Sequence, residues 1–178
     1  MFKLLFPYNL VDSVFSIDYE KLYEKGYQAI IFDIDNTLVH HGEDSTTEVD
    51  ELFQEIHKIG FKTLLLTDND EERTTRFIRK IDTLYVCDAQ KPKPFGYLKA
   101  LDMLDVKKER AIVIGDQILR DIYGANRCGI ANILVKYMRY EYETKIGKRR
   151  QLEKIILKFY GWSKAYQNRI GNIYKEDS

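Results

Sequence analysis

The chain has 178 residues, enough for one domain with a real hydrophobic core, and a content of 44% apolar and 13% aromatic residues argues against a disordered chain. Its formal net charge is zero, but residues 136–178 carry 11 Lys plus Arg against 5 Asp plus Glu while the rest carries 17 against 23, so an acidic body bears a basic tail that suits an anionic partner or the body itself. No apolar run approaches eighteen residues, so no membrane span is expected, and the opening MFKLLFPYNLVDS, broken by Pro7 and Asp12, is too short an apolar run for a secretory signal.

Residues 1–27 read as a lead-in segment packed on the core. QAIIFDI (28–34) is short, apolar throughout and rich in isoleucine, the pattern of a strand covered on both faces. STTEVDELFQEIHKIG (45–60) places Val49, Leu52, Phe53, Ile56 and Ile59 at helical spacing, with Gly60 as a stop. FKTLLLT (61–67) predicts a strand, DEERTTRFIRKI (70–81) a helix and TLYVC (83–87) a strand. After KPKP, FGYLKALDMLDV (95–106) predicts a helix with Leu98, Leu101 and Leu104 on one face. RAIVIG (110–115) is a strand, LRDIYGANRCG (119–129) a short helix ending at Gly129, and ANILV (131–135) a last strand. Alternating β and α units with doubly buried strands imply an α/β fold, a three-layer α/β/α Rossmann-like parallel sheet over residues 28–138.

Residues 139–178 are expected to form a basic amphipathic helical C-terminal extension. Leu152, Ile155, Ile156 and Phe159 make its expected apolar stripe, continued by Trp162, Tyr166 and Ile170, with Lys148, Arg149, Arg150, Lys154 and Lys158 largely off it. Such a helix packs on the acidic body with its charges in water, or makes peripheral contact with an anionic membrane through residues 145–170. Nucleic acid is not an expected partner, since no binding motif accompanies the charge. Cys87 and Cys128 read as reduced core residues of a cytoplasmic protein, His40 and His41 as surface residues, and His57 as solvent-facing.

The polar residues fall at strand ends. Asp33 and Asp35 close the first strong strand, Thr67 the second, and Asp116 and Asp121 follow AIVIG. In parallel sheets ligands sit at these carboxyl ends. Buried carboxylates side by side repel unless a cation neutralises them, and an oxygen-only donor set fits Mg²⁺ with phosphate completing its shell. With Lys91 or Lys93 from KPKP and the Thr67 hydroxyl, the set makes a phosphate-sized anion site in which one acid attacks phosphorus and another shuttles a proton. Singly, DIDNT is also a strand-to-turn boundary, KPKP a common loop and GDQILRD a capped helix start; together and in order they favour function.

DIDNT, LLLTDN, KPKP and GDQILRD, spanning residues 33–121, resemble the four motifs of the haloacid dehalogenase superfamily of phosphohydrolases. The resemblance implies Asp33 as nucleophile and aspartyl-phosphate site, Asp35 as general acid and base, and Lys91, which opens a Lys-Pro-x-Pro segment, as the stabilising cation. It implies Thr67 as phosphoryl ligand with Asn36, Thr37, Asp68 and Asn69 beside the substrate. Mg²⁺ would be held by Asp33, the carbonyl of Asp35 and Asp116, with Asp121 and Gln117 behind them. Asp35 marks a phosphatase, because members that cleave carbon–halogen bonds usually lack an acid there. Two residues depart from the pattern: Asp68 puts an acid after Thr67, which weakens anion binding, and Arg120 stands where a threonine is common and could offset it. Members with a lid insert it after the first motif or between the second and third, where this chain has only one helix and one strand each, so a capless enzyme is expected.

The segments LYEKGYQAIIFDIDNTLV and VIGDQILRDIYGANRCGI look like the type IIIA, YqeG-like group, which is similar to phosphatidylglycerophosphate phosphatases. The substrate implied is a phosphorylated lipid head group. A soluble nucleotide or sugar phosphate is the alternative, and a phosphate-site binding module without turnover a second one.

Overall fold

All four residues of the strand Ala29–Phe32 are buried, and they serve two cores: Ile30 and Phe32 face one side, Ala29 and Ile31 the other. A strand with no polar face needs helices above and below it. The computed structural model describes residues 2–138, 140 and 147–176. Its strands are β1 (Asn9–Val11), β2 (Ala29–Phe32), β3 (Lys62–Leu66), β4 (Leu84–Val86), β5 (Ala111–Gly115) and β6 (Ala131–Val135), all parallel, in the order β1-β6-β5-β2-β3-β4. From β2 the chain moves outward through β3 and β4, then returns to lay β5 on the other side of β2. The loops leaving β2 and β5 therefore diverge at a topological switch point, where this sheet class binds ligands.

One face carries α1 (Tyr19–Glu24), α2 (Thr47–Ile59) and α3 (Glu71–Phe77), contributing Leu22, Val49, Phe53, Ile56 and Phe77 to the first core. The other carries α4 (Pro94–Leu104) and α5 (Tyr123–Cys128), contributing Tyr97, Ala100, Leu104 and Ala125. Local chemistry sets the ends of α2: Thr46 accepts from the Val49 N–H at 3.3 Å, and Gly60 closes the helix at φ 115°, a conformation that side chains resist. A last helix, α6 (Lys148–Trp162), lays Ile156 and Tyr160 against Phe6, Ile118, Ile122 and Leu134. Among the described residues, no helix is long and apolar enough to cross a membrane.

The lead-in segment supplies the edge strand β1, paired with β6 through Asn9↔Ile133, Leu10↔Leu134 and Val11↔Val135. Other expectations are corrected. The buried face of α4 is Tyr97, Ala100 and Leu104, leaving Leu98 55% exposed, because the ring of Tyr97 fills the space over Gly124 and turns Leu98 outward. Helix α3 stops at Phe77, short of Ile81, and the first half of the expected 119–129 helix is a π-helical turn, Ile118–Ile122.

The apolar stripe expected on the tail helix is largely outside: Leu152, Ile155, Phe159 and Trp162 are exposed, and the buried positions are Glu153, Ile156 and Tyr160. Only Ile156 of the stripe's first turns faces the body. Beyond α6 the chain crosses to the first core, where Ile170 and Ile173 are buried and Asn9 both donates to the Gly171 carbonyl (2.9 Å) and accepts from the Ile170 N–H (3.1 Å). Residues 139 and 141–146, where the expected helical extension and the contact segment 145–170 begin, lie outside the described residues. His57 is half-buried with its Nε2 2.8 Å from Thr63 Oγ1, not solvent-facing, and both cysteines are half-buried and free.

Candidate active site

Four chain segments meet at the carboxyl ends of β2, β3 and β5. The ladder continues one residue past β2, with the Asp33 N–H donating to the Ile114 carbonyl at 2.9 Å. The chain then turns tightly: the Ile34 carbonyl accepts from the N–H groups of Thr37 and Leu38, and Asn36 adopts φ 62°, a left-handed conformation that asparagine tolerates. This turn brings Thr37 Oγ1 to 3.1 Å from Asp33 Oδ2 and 3.4 Å from Asp116 Oδ1, joining the first and last motifs.

Lys91 is the centre of the cluster. Its buried Nζ lies 2.5 Å from Asp33 Oδ1 and 2.6 Å from Asp121 Oδ1. Lys93 instead occupies the N-cap position of α4 and donates to Gln90 Oε1, so of the two lysines it is Lys91 that reaches the acidic cluster. Asp121 also accepts from the Gln117 N–H at 3.0 Å. Its carboxyl packs where a side chain on Gly115 would stand: a Cβ there would lie 2.4 Å from Asp121 Cγ, so β5 has to end in glycine.

Asp35 is turned away from this buried group. Its Oδ1 accepts from the Gly42 N–H (2.8 Å) and its Oδ2 from Asn69 Nδ2 (2.6 Å), with His41 Nδ1 at 3.4 Å and Arg73 Nη2 at 3.7 Å. Thr67 is buried and accepts from the Asn69 N–H at 3.1 Å. Asp68 sends one oxygen to the Lys91 N–H (2.9 Å) and pairs the other with Arg120 Nη1 (2.9 Å). The two departures from the family pattern thus neutralise each other and place the Lys91 backbone.

The motifs alone do not reveal two arginines. Arg73, on α3, approaches Asp35, and Arg150, on α6, pairs with Asp116 Oδ2 and donates to the Asp116 carbonyl at 2.7 Å. Neither has a motif around it. The one local signal for Arg150 is Glu153, a lone acid three residues along an otherwise basic helix, which lies 2.9 Å from it.

Oxygens of Asp33, Asp116 and Asp121, all buried, lie within 4.8 Å of one another. Burial raises the Asp33 carboxyl to about 6 even against the pull of Lys91. Burial, then repulsion from Asp33, raises Asp116 well above the ordinary range despite Arg150. Three carboxylates sharing two cations are short of positive charge, and their hard oxygen donors fit a small divalent ion such as Mg²⁺.

The family model described as "Hydrolase: haloacid dehalogenase-like hydrolase" matches residues 43–129. The chain is 36% identical over 134 residues to the "Probable phosphatase YqeG" of Bacillus subtilis (strain 168), covering 75% of this chain and 78% of that protein. It is 31% identical over 94 residues to the glyceraldehyde 3-phosphate phosphatase of Pyrococcus furiosus, covering 48% of this chain and 39% of that protein. Among solved structures, an uncharacterized protein from Listeria monocytogenes serotype 4b matches with a TM-score of 0.53 and 17% identity over 75% of this chain and 99% of that one, a likeness of fold.

Proposed function

This chain belongs to the haloacid dehalogenase-like hydrolases, and from that premise we propose that it is a Mg²⁺-dependent phosphomonoester hydrolase working through an aspartyl phosphate on Asp33. The observation that carries the reading is the contact of Lys91 with both Asp33 and Asp121 beside Asp116 at the sheet's switch point. Mg²⁺ held by Asp33, Asp116 and the carbonyl of Asp35 would supply charge neutralisation for the phosphoryl oxygens.

The remaining chemistry belongs to the side chains. Lys91 and Thr37 hold the Asp33 carboxylate in one orientation, so that one oxygen attacks phosphorus as the bond to the leaving oxygen breaks. Asp35, steadied by Gly42 and Asn69, hands its proton to that leaving oxygen. In the second half, Asp35 takes a proton from water as the water oxygen attacks phosphorus, releasing phosphate and restoring Asp33. Thr67, which accepts from the Asn69 N–H, receives the phosphoryl group, with Asn36, Thr37 and Asn69 as its further polar partners, and Lys91 offsets its charge. Asp121 and Gln117 steady Lys91 from behind.

A phosphorylated lipid head group is the substrate class this surface suits best, with phosphatidylglycerophosphate the leading candidate. Three features support it. The intervals that would hold a lid contain only α2 and α3 with their strands. A groove of about 390 Å³ beside Asp116 is lined by Leu10, Ile118, Leu134, Val135, Tyr137 and Leu157. Leu152, Ile155, Phe159 and Trp162 are exposed on a helix that also carries Lys148, Arg149, Lys154 and Lys158, an arrangement fitted to peripheral contact with an anionic membrane on the cytoplasmic side. The alternative is a soluble sugar or nucleotide phosphate, and the likeness to the Pyrococcus enzyme supports its sugar-phosphate form. Phosphate release from phosphatidylglycerophosphate in mixed micelles, run beside a panel of soluble phosphate esters with Mg²⁺, decides between them. Turnover of the lipid above every soluble ester is expected; turnover of soluble esters alone would overturn the lipid assignment.

A further inference from the structure

Arg150 enters the site from α6, 34 residues beyond the carboxylate it meets, and it is held on every side. One Nη donates to the Asp116 carbonyl at 2.7 Å and to Glu153 Oε2 at 2.9 Å, while the other pairs with Asp116 Oδ2. Its guanidinium carbon lies 4.5 Å from the centre of the Tyr137 ring. Glu153 is 4% exposed, and its second oxygen accepts from the Leu119 N–H at 3.1 Å, three residues past Asp116. Ile156 and Tyr160 anchor the helix that carries both residues.

A lone surface arginine would need none of this. Burying a glutamate to brace an arginine is costly unless every partner is placed, and here each oxygen of Glu153 has one. The consequence for Asp116 is geometric. With Oδ2 and the main-chain carbonyl both gripped by one guanidinium, the carboxylate cannot rotate, and Oδ1 stays 3.4 Å from Thr37 Oγ1, on the side of Asp33.

We propose that Arg150 is a positioning residue: by fixing one oxygen of Asp116 it aims the other into the acidic cluster, and so makes the C-terminal helix a determinant of divalent-cation affinity. This rests on the reading of Asp116 as a Mg²⁺ ligand. The side chains behind metal-binding carboxylates commonly set affinity by holding the ligand's orientation, and a guanidinium does this with a planar fork that an ammonium lacks.

The test is calorimetric titration of Mg²⁺ into the full chain without substrate, for the wild type, Arg150→Ala, Arg150→Lys and Glu153→Gln, each checked for a cooperative melt in chelator. Affinity is expected to fall about tenfold or more for Arg150→Ala, with Arg150→Lys intermediate and Glu153→Gln lowered less, in the same direction. The Mg²⁺ concentration for half-maximal phosphate release should rise in parallel, with most of the lost rate returning at high Mg²⁺. Should Arg150→Ala fail to fold, Arg150→Lys and Glu153→Gln carry the comparison. Folded variants that bind Mg²⁺ within about twofold of wild type, or more tightly, would overturn the proposal and leave Arg150 a structural counter-charge. A wild type that releases phosphate yet binds no Mg²⁺ would overturn the metal reading of Asp116, and this inference with it.

Discussion

The ammonium of Lys91 stands 2.5 Å from Oδ1 of Asp33, with both groups buried. Burial opposes the lysine's charge, but Asp121 and Asp33 together hold its pKa well above the ordinary value. Taking the cation away leaves two buried carboxylates facing each other. Lys91→Met is expected to destabilise the metal-free protein by about 3 kcal/mol, the cost of breaking a buried ion pair from one side, and to abolish phosphate release. Urea denaturation in chelator measures the first and a phosphate assay the second. Wild-type stability in the variant would contradict the pairing.

The raised carboxyl of Asp33 gives the metal-free protein a signed pH dependence. Burial, against Lys91 and aided by repulsion from Asp121, moves it from 3.8 to about 6. Between those values the folded chain keeps a proton that the unfolded chain has released, so this group costs stability as pH rises through the window. The stability of Asp33→Asn relative to wild type, measured by denaturation in chelator, should therefore increase from about pH 4 to about pH 6 and then level off. A flat difference would remove the claim. Mg²⁺, competing with the same proton, should bind more tightly as pH rises through 6.

At the end of β5 the packing is close enough to test with one methyl group. The Cβ of Gly115→Ala would stand 2.4 Å from Asp121 Cγ and 2.7 Å from its Oδ2. Asp121 must move, taking its hydrogen bond to Lys91 with it. A loss of about 1–3 kcal/mol is expected, together with a large fall in phosphate release. A variant as stable and active as wild type would show that Asp121 can leave its place without consequence.

The outward stripe of α6 predicts the opposite separation. Ile155 is 51% and Trp162 77% exposed, so Ile155→Ser and Trp162→Ser should each change stability by no more than about 0.5 kcal/mol. Sedimentation with vesicles containing anionic lipid should fall for both variants, and for wild type as salt is raised. Equal sedimentation of wild type and variants would remove the membrane role of this helix.

How much of this the sequence carried depends on the range of the interactions. Asp33, Thr67 and Asp116 each follow directly on a strand and Lys91 lies in the loop between β4 and α4, so a local pattern places them, and the alternation of β and α places the strands side by side. The edge strand β1 left no such mark, because three residues held by one neighbour need little local propensity. The stripe on α6 was visible but its direction was not. A helix's periodicity says which residues share a face, while the face that is buried is decided by Phe6, Ile118 and Leu134, far away in sequence. For Leu98 the same ambiguity was settled by the fit of Tyr97 over Gly124. In the sequence Arg150 is one more basic residue off the apolar stripe, since its partner Asp116 is brought to it only by the packed fold.

In the proposed reaction Asp33 carries the phosphoryl group. Rapid acid quench of the enzyme during turnover of a radiolabelled phosphate ester, followed by peptide mapping, tests it most directly. Label is expected on the peptide containing Asp33, and its loss in Asp33→Asn together with phosphate release. Continued turnover by Asp33→Asn, or label on a different residue, would contradict it.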